Sequence, residues 1–414
     1  MREDIKERIE MIKRGEVPEG YIETKAGIVP ITWEKQYFRN LFKEKKRMTN
    51  ELNKYPLYSL TLEKGIVEKS DRYDREHLVK KDEDVYKIVE KNDFAYNPMN
   101  IRFGAVARNK TDKAVCVSGY YDIFEVANTE DMKYMDDYLV SYPMIKYFNR
   151  VCTGSLDEKK RVHFSQFLDF NLPMPMLSER KEISQTLSAF NRKIQLQERL
   201  IANKNEQKKY IMKNLLSGKK RLPEFNLEWK TKKMSCFFTE RSESNAINCE
   251  LLSITGSGII PRSEIEGKDN SSEDKSKYKK IYVGDIGYNT MRMWQGVSAY
   301  SQHEGIVSPA YTILKAKDNA DAKFFSYLFK VPSIIFLFYR YSQGLVDDTR
   351  NLKFENFRKI KINVPLDIEE QKAIAKILSQ ADKEIELLEQ QLEILKLEKK
   401  AMMQLLLSGI VRAN

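Results

Sequence analysis

Histidine, cysteine and long apolar runs are what this 414-residue sequence has least of, and each scarcity excludes something. The four cysteines, Cys116, Cys152, Cys236 and Cys249, contain no C-x-x-C pair. That pattern writes neither a zinc ribbon nor a disulfide framework, and it fits a reducing cytosol. The three histidines, His77, His163 and His303, are scattered and supply no metal site or acid–base centre. The most apolar run, Val331 to Tyr339, contains Pro332 and is far shorter than the roughly 20 residues that span a bilayer. Met1 to Arg14 is highly charged and does not read as a signal peptide. The location expected is therefore cytoplasmic. No P-loop occurs. Carboxylate–lysine pairs such as Glu266 with Lys268 arise by chance in so charged a chain, so no nuclease centre is supported.

Charge is what the chain has in abundance. Lys and Arg total 71 against 60 Asp and Glu, a formal net charge of +11. The sequence pI is near 9.1. This balance favours a polyanionic partner, and a basic solvated surface without a partner is the plain alternative. With 42% hydrophobic residues the chain is globular, and its length allows two or three domains.

The pattern that organises the rest is a long helix from Ser178 to Gly218, present twice. Its apolar residues fall at Ile183, Leu187, Phe190, Ile194, Ile201, Ile211 and Leu215, steps of four and three and then whole heptads. Adding 191 to each number gives Ile374, Leu378, Ala381, Ile385, Leu392, Met402 and Leu406. The second copy has Leu388 and Leu395 where the first has Gln197 and Lys204. Both copies start just after a proline, Pro175 or Pro365, and both end Leu-Leu-Ser-Gly, at Gly218 and Gly409. A glycine past a helix end is the usual left-handed cap. Asp367 with Glu370 reads as a capping box. Each helix would run about 60 Å at 1.5 Å per residue. Its apolar stripe needs a partner: the other copy, or else its own globular domain.

The repeat extends beyond the helices. Trp33 matches Trp229, Asp93 to Met99 matches Asp285 to Met291, and Gly104 matches Gly296. Tyr138 and Pro143 match Tyr327 and Pro332, and Gly154 with Phe164 and Phe167 matches Gly344 with Phe354 and Phe357. The order is globular unit, helix, globular unit, helix. Repeats of this length are duplicated domains, not a solenoid. Leu57–Leu60, Ala114–Ser118, Leu251–Ile254 and Tyr311–Leu314 read as strands. Asp131–Asn149 and Ala320–Tyr341 each read as one helix. Each unit is thus a strand-rich α/β domain. Met1 to Arg14 reads as a short amphipathic helix that packs against the end of the long helices and closes the repeat into a ring.

Two local patterns are set aside. Tyr96-Asn97-Pro98-Met99 is like the N-P-P-Y site of adenine methyltransferases, but its duplicate at Asn289 has no proline, so it reads as a structural turn. Gly256-Ser257-Gly258 is a lone G-x-G and too little for an S-adenosylmethionine loop.

The run Pro365-Leu366-Asp367-Ile368-Glu369-Glu370-Gln371 with Ile374, the Leu-Leu-Ser-Gly exits and the stretch Tyr288 to Gly296 followed by Gly305 to Tyr311 resemble the specificity subunit of type I restriction–modification systems. The likeness covers essentially the whole chain. The first copy departs from it, with Pro98, Asn100 and Phe103 in place of Thr290, Arg292 and Gln295. The resemblance implies a mixed α+β fold in which two target-recognition domains are separated by a long antiparallel two-helix coiled coil with pseudo-two-fold symmetry. The implied domains are an N-terminal helix (1–20), a first recognition domain (21–175), a first long helix (176–222), a second recognition domain (223–365) and a second long helix (366–414). Each recognition domain would read half of a split double-stranded DNA target, with the helices setting the gap. Two adenine methyltransferase subunits would carry the S-adenosylmethionine, this chain binding no cofactor and catalysing nothing. A restriction subunit is an optional further partner.

The DNA-contacting residues expected lie in loops. They are Asn97, Asn100, Arg102, Thr153, Ser155, Lys160 and Arg161 in the first domain, and Arg292, Trp294, Gln295, Ser342, Gln343 and Arg350 in the second. Trp294 reads equally as a packed core aromatic, and Arg102, Arg161 and Arg350 as solvated surface charge. The run Lys43, Lys45, Lys46, Arg47 reads most simply as a solvated face, with backbone contact as the functional alternative. Two rival functions remain open. One is an adenine methyltransferase in its own right, which would bind S-adenosylmethionine alone. The other is a charge-driven DNA tether, which would show no sequence preference and a salt dependence common to all duplexes.

Overall fold

Strands form where β-branched and aromatic residues alternate, and in this computed structural model they build the same sheet twice. Residues 2–68, 85–156, 159–244, 249–256, 258–267 and 271–413 are described; His77, Ser257 and Lys268 fall outside them. The chain divides into two units, Met1–Leu196 with Leu392–Asn414, and Gln197–Gln391.

In the first unit a four-stranded antiparallel sheet runs in the order Val106–Arg108, Phe94–Tyr96, Asp122–Val126, Phe42–Lys45. The second unit repeats that order with Ser298–Tyr300, Ile286–Asn289, Tyr311–Ala316 and Phe238–Arg241. The strand Glu34–Tyr37 pairs with Asn171–Met174, and Lys230–Lys233 pairs with Lys361–Val364, so each domain's first and last strands are joined. One face of each sheet buries a phenylalanine cluster. Phe94 stacks on Phe124 at 5.3 Å in the first unit, and Phe238 meets Phe325 edge-on at 4.9 Å in the second. Such aromatic pairs add about 0.5–1.5 kcal/mol beyond their buried area.

Matched carboxylates brace the two sheets. Asp285, almost fully buried, accepts from Arg241 Nε at 2.7 Å and from the Tyr282 backbone N–H at 3.0 Å. Asp93 likewise accepts from Lys45 at 2.8 Å and from the Glu90 N–H at 3.0 Å. Burial pulls the Lys45 ammonium down, but Asp93, Glu90 and Glu125 around it outweigh that and leave its pKa raised. Of the basic run, Lys45, Lys46 and Arg47 are ion-paired within the domain.

The expected single helices are each two. Met132–Tyr138 is followed by Tyr142–Val151, and Ala322–Leu328 by Pro332–Tyr341. The second pair is bent by 86°. Pro332 is the cause: the residue before it, Val331, sits at ψ 132, outside the helical region. In the first unit Ser141 starts a new helix, its Oγ accepting from the Met144 N–H.

The long helices run Leu177–Leu215 and Ile368–Leu407. Both supposed partners of their apolar stripe are real. Ile183 and Leu187 lie in the first domain's core together with Leu406 and Leu407 from the end of the other helix. Ile374 and Leu378 lie in the second domain's core with Leu215 and Leu216. Between these ends the stripe is a helix–helix seam, and its polar positions in the first helix are used: Gln197 Nε2 donates to the Leu388 carbonyl at 2.9 Å, and Lys204 pairs with Glu384 at 2.6 Å. Lys208 pairs with Asp382.

The helix beginnings differ from expectation. Asp367 Oδ1 accepts from the Glu369 N–H at 2.9 Å, but Glu370 does not complete a capping box. Its carboxylate takes Arg221, at 2.7 and 2.9 Å, and Trp229 Nε1 at 3.1 Å. The equivalent Glu179 takes Arg412 at 2.6 and 2.7 Å. The segment leaving each long helix is thus clasped to the start of the other. In the first unit the short helix Glu3–Lys13 closes the repeat as expected, Arg8 donating to the Ile410 carbonyl and Tyr21 to that of Gly409.

Candidate nucleic-acid interface

Each domain brings two loops together beside the helix that follows its proline or serine break. In the second domain the turn after strand Ile286–Asn289 carries Arg292, Trp294 and Gln295. It is shaped by Asn289 Oδ1, which accepts from the Met291 N–H at 3.0 Å, and closed by Gly296 at φ +83. Any Cβ on Gly296 would lie 2.8 Å from Ile335 of the adjoining helix, so the close approach requires glycine. The other loop is a hairpin after that helix. Gln343 and Asn351 exchange backbone bonds of 2.8 Å each. Leu352 N–H then donates to the Thr290 carbonyl at 2.8 Å, tying hairpin to turn.

Side chains complete the join. Trp294 is half-buried, meets Tyr339 edge-on at 6.2 Å and donates to the Met291 carbonyl at 2.9 Å. Arg350 lies over the Tyr339 ring at 4.1 Å, donates to its hydroxyl at 2.9 Å and to Asp347 at 2.8 Å. Ser342 Oγ donates to the Phe338 carbonyl. Arg292, Gln295 and Gln343 are exposed. Trp294 and Arg350 are therefore positioned by the protein's own aromatic, while those three present polar groups to solvent.

The first domain repeats the frame with other side chains. Asn97 Oδ1 accepts from the Met99 N–H at 3.0 Å, the same turn as at Asn289, so Tyr96 to Met99 is a structural turn in both copies. Asn100 is exposed, and Arg102 lies over the Phe103 ring at 4.5 Å. Asn149 Nδ2 donates to the Arg102 carbonyl, holding the turn to helix Tyr142–Val151. Thr153 and Arg161 exchange backbone bonds of 2.9 Å, and Val162 N–H donates to the Pro98 carbonyl at 3.0 Å. Thr153, Ser155 and Arg161 are exposed and Lys160 half-buried. All thirteen expected contact residues thus lie in two clusters, one per domain.

Sequence reasoning passed over Tyr339, Asn149 and Lys330. Lys330 matches Ser141 of the first copy. Its ammonium donates to three carbonyls, Ser298 at 2.6 Å, Gly296 at 2.8 Å and Gly256 at 3.2 Å. Burial pulls its pKa down to about 8. A lysine between Phe329 and Val331 in the most apolar run of the chain was the available signal. Among the described residues no group of three His, Cys, Asp or Glu could hold a metal ion, and no single helix is long and apolar enough to cross a membrane.

Residues 218–397 match the family model of the type I restriction modification DNA specificity domain. Two solved structures share the fold. The type I restriction-modification S subunit from M. genitalium is 15% identical with a TM-score of 0.50, the match covering 91% of this chain and 96% of that one. A chain from a structure of complex assembly and conformational transition in the type I R-M system is 12% identical with a TM-score of 0.54, over 92% and 99%. The second domain and its helix carry the family's domain, the first domain repeats them, and the chain belongs to the specificity-subunit family of type I restriction–modification systems.

Proposed function

We propose that this chain is the DNA-recognition subunit of a type I restriction–modification complex and is itself non-catalytic. Each domain reads one half of a split target, and the paired helices set the gap. Adenine methyltransferase subunits dock on the chain and bring the S-adenosylmethionine; a restriction subunit is a further partner. The observation that carries this reading is the duplicated frame: one turn and one hairpin, joined by the same backbone bonds, bearing Arg292, Gln295 and Arg350 in one copy and Asn100, Arg102 and Arg161 in the other. One frame with two sets of polar groups suits two half-sites of different sequence. Base edges are read by such groups, each good bidentate pair giving about 1–3 kcal/mol of discrimination, while the +11 charge serves phosphate contact.

The test is a genome-wide map of methylated adenine in a methylation-free host expressing this chain with its neighbouring methyltransferase subunit, and each alone. The expected result is a split motif with a fixed gap, only when both are present. Methylation from this chain alone would establish an active site of its own and replace the proposal. Methylation without any motif would favour the charge-driven tether.

A further inference from the structure

The tip of the second domain's hairpin is the least protein-like surface on the chain. Leu345 is 99% exposed and Val346 60%. Yet the tip is firmly built. Thr349 N–H donates to the Val346 carbonyl at 3.0 Å, and Val346 N–H to Thr349 Oγ1 at 3.3 Å. Gly344 stands at φ +133, where a Cβ would lie 2.6 Å from the Thr349 carbonyl oxygen. A fixed turn that holds two aliphatic side chains in water contributes nothing to the domain's core. Single exposed apolar residues are common, but this arrangement occurs twice. In the first domain Gly154 stands at φ +143, its Cβ position 2.9 Å from the Lys159 carbonyl oxygen, and Leu156, the counterpart of Val346, is 56% exposed. The polar readers differ between the copies; the exposed aliphatic does not.

The surrounding charge says what these tips meet. Asp347 and Asp348 follow Val346, as Asp157 and Glu158 follow Leu156. Arg350 is drawn back onto Asp347 and Tyr339. Carboxylates at the tip repel phosphates, so the tip does not lie along a DNA backbone. Base edges are the part of a duplex that accepts apolar contact and tolerates a carboxylate.

Resting on the base-reading function proposed above, we infer that Leu345 and Val346, and Leu156 in the first domain, form apolar fingers that enter a groove of the duplex and seat against base edges beside the polar readers. The partner is the interior of a DNA groove, and the contact is shared by both half-sites.

The test uses the full chain with its methyltransferase subunit and a duplex carrying the split motif that methylation mapping returns. Leu345→Ser with Val346→Ser should weaken the target duplex on the order of tenfold, from the apolar area no longer buried. The salt dependence should keep its slope, because an apolar contact releases no counterions. The melting temperature should hold, since the tip buries nothing in the free protein. In the methylation map these changes should blur the second half-site only, and Leu156→Ser the first only. Target affinity equal to wild type would overturn the inference, as would equal losses on target and unrelated duplexes, or loss of the methyltransferase subunit instead of the DNA. A wild-type complex that cannot tell target from unrelated duplex would overturn the base-reading function itself.

Discussion

Lys330 shows how a single residue can hold a recognition loop from behind. Its three carbonyl partners belong to the turn that carries Trp294 and to the neighbouring turn at Gly256, so one ammonium ties both together. Replacing it by methionine leaves those carbonyls short of a donor and should cost about 1–3 kcal/mol. The pH dependence has a definite sign. Burial lowers the folded-state pKa from 10.5 to about 8, so between those values the unfolded chain binds the extra proton. Stability of the wild type should therefore rise, relative to Lys330→Met, as pH climbs from about 8 towards about 10.5, and the full cost of burying the charge should stand below 8. Urea unfolding of both proteins across that range checks it; parallel curves would mean that Lys330 titrates normally. Ser141 holds the corresponding place in the first domain by capping a helix, which gives that domain no such dependence.

At the scale of elements, the two Arg–Glu clasps are the matched feature that matters most for stability. Glu370 is nearly inaccessible and Glu179 almost so, and each receives a bidentate guanidinium. Arg221→Ala would leave Glu370 buried and short of a cation, a loss of about 3–5 kcal/mol. Adding Glu370→Gln should recover part of it, because the stranded charge is then gone. Thermal denaturation of the two variants decides the matter: a double variant less stable than the single one would mean that Glu370 does not need its partner. Much of this fold was legible in the sequence. The +191 register found both helices, the seam and even the matched positions of Glu179 and Glu370. What it could not supply was who meets whom, since Arg221 and Glu370 are 149 residues apart and Arg412 and Glu179 are 233 apart. Glu370 was read as a local cap because local rules see only neighbours. The site was legible as two loops per domain, from glycines at matched places. It was illegible as chemistry, because Tyr339 and Lys330 act through folded proximity.

For the whole molecule the question is whether the helices measure distance. The seam fixes which residues face each other: Gln197 lies against Leu388 and Gln391, and Lys204 against Glu384. Opposite positions therefore sum to about 588, and a heptad can be removed from both helices without disturbing the register on either side only if the two deletions face each other. Gln195–Ile201 and Glu386–Leu392 meet that condition, and each removes two helical turns, so the seam stays on the same face. The loss is about 10 Å of helix, or roughly three base pairs of duplex at 34 Å per turn. Methylation mapping of this double deletion should return both half-sites unchanged with the gap shortened by about that much, and more weakly, because three base pairs also turn one half-site about the duplex axis. A shifted gap with intact halves means that the domains read and the helices measure. Altered half-sites would mean that the helices shape the recognition loops themselves, and an unchanged gap would place the spacing in the domains.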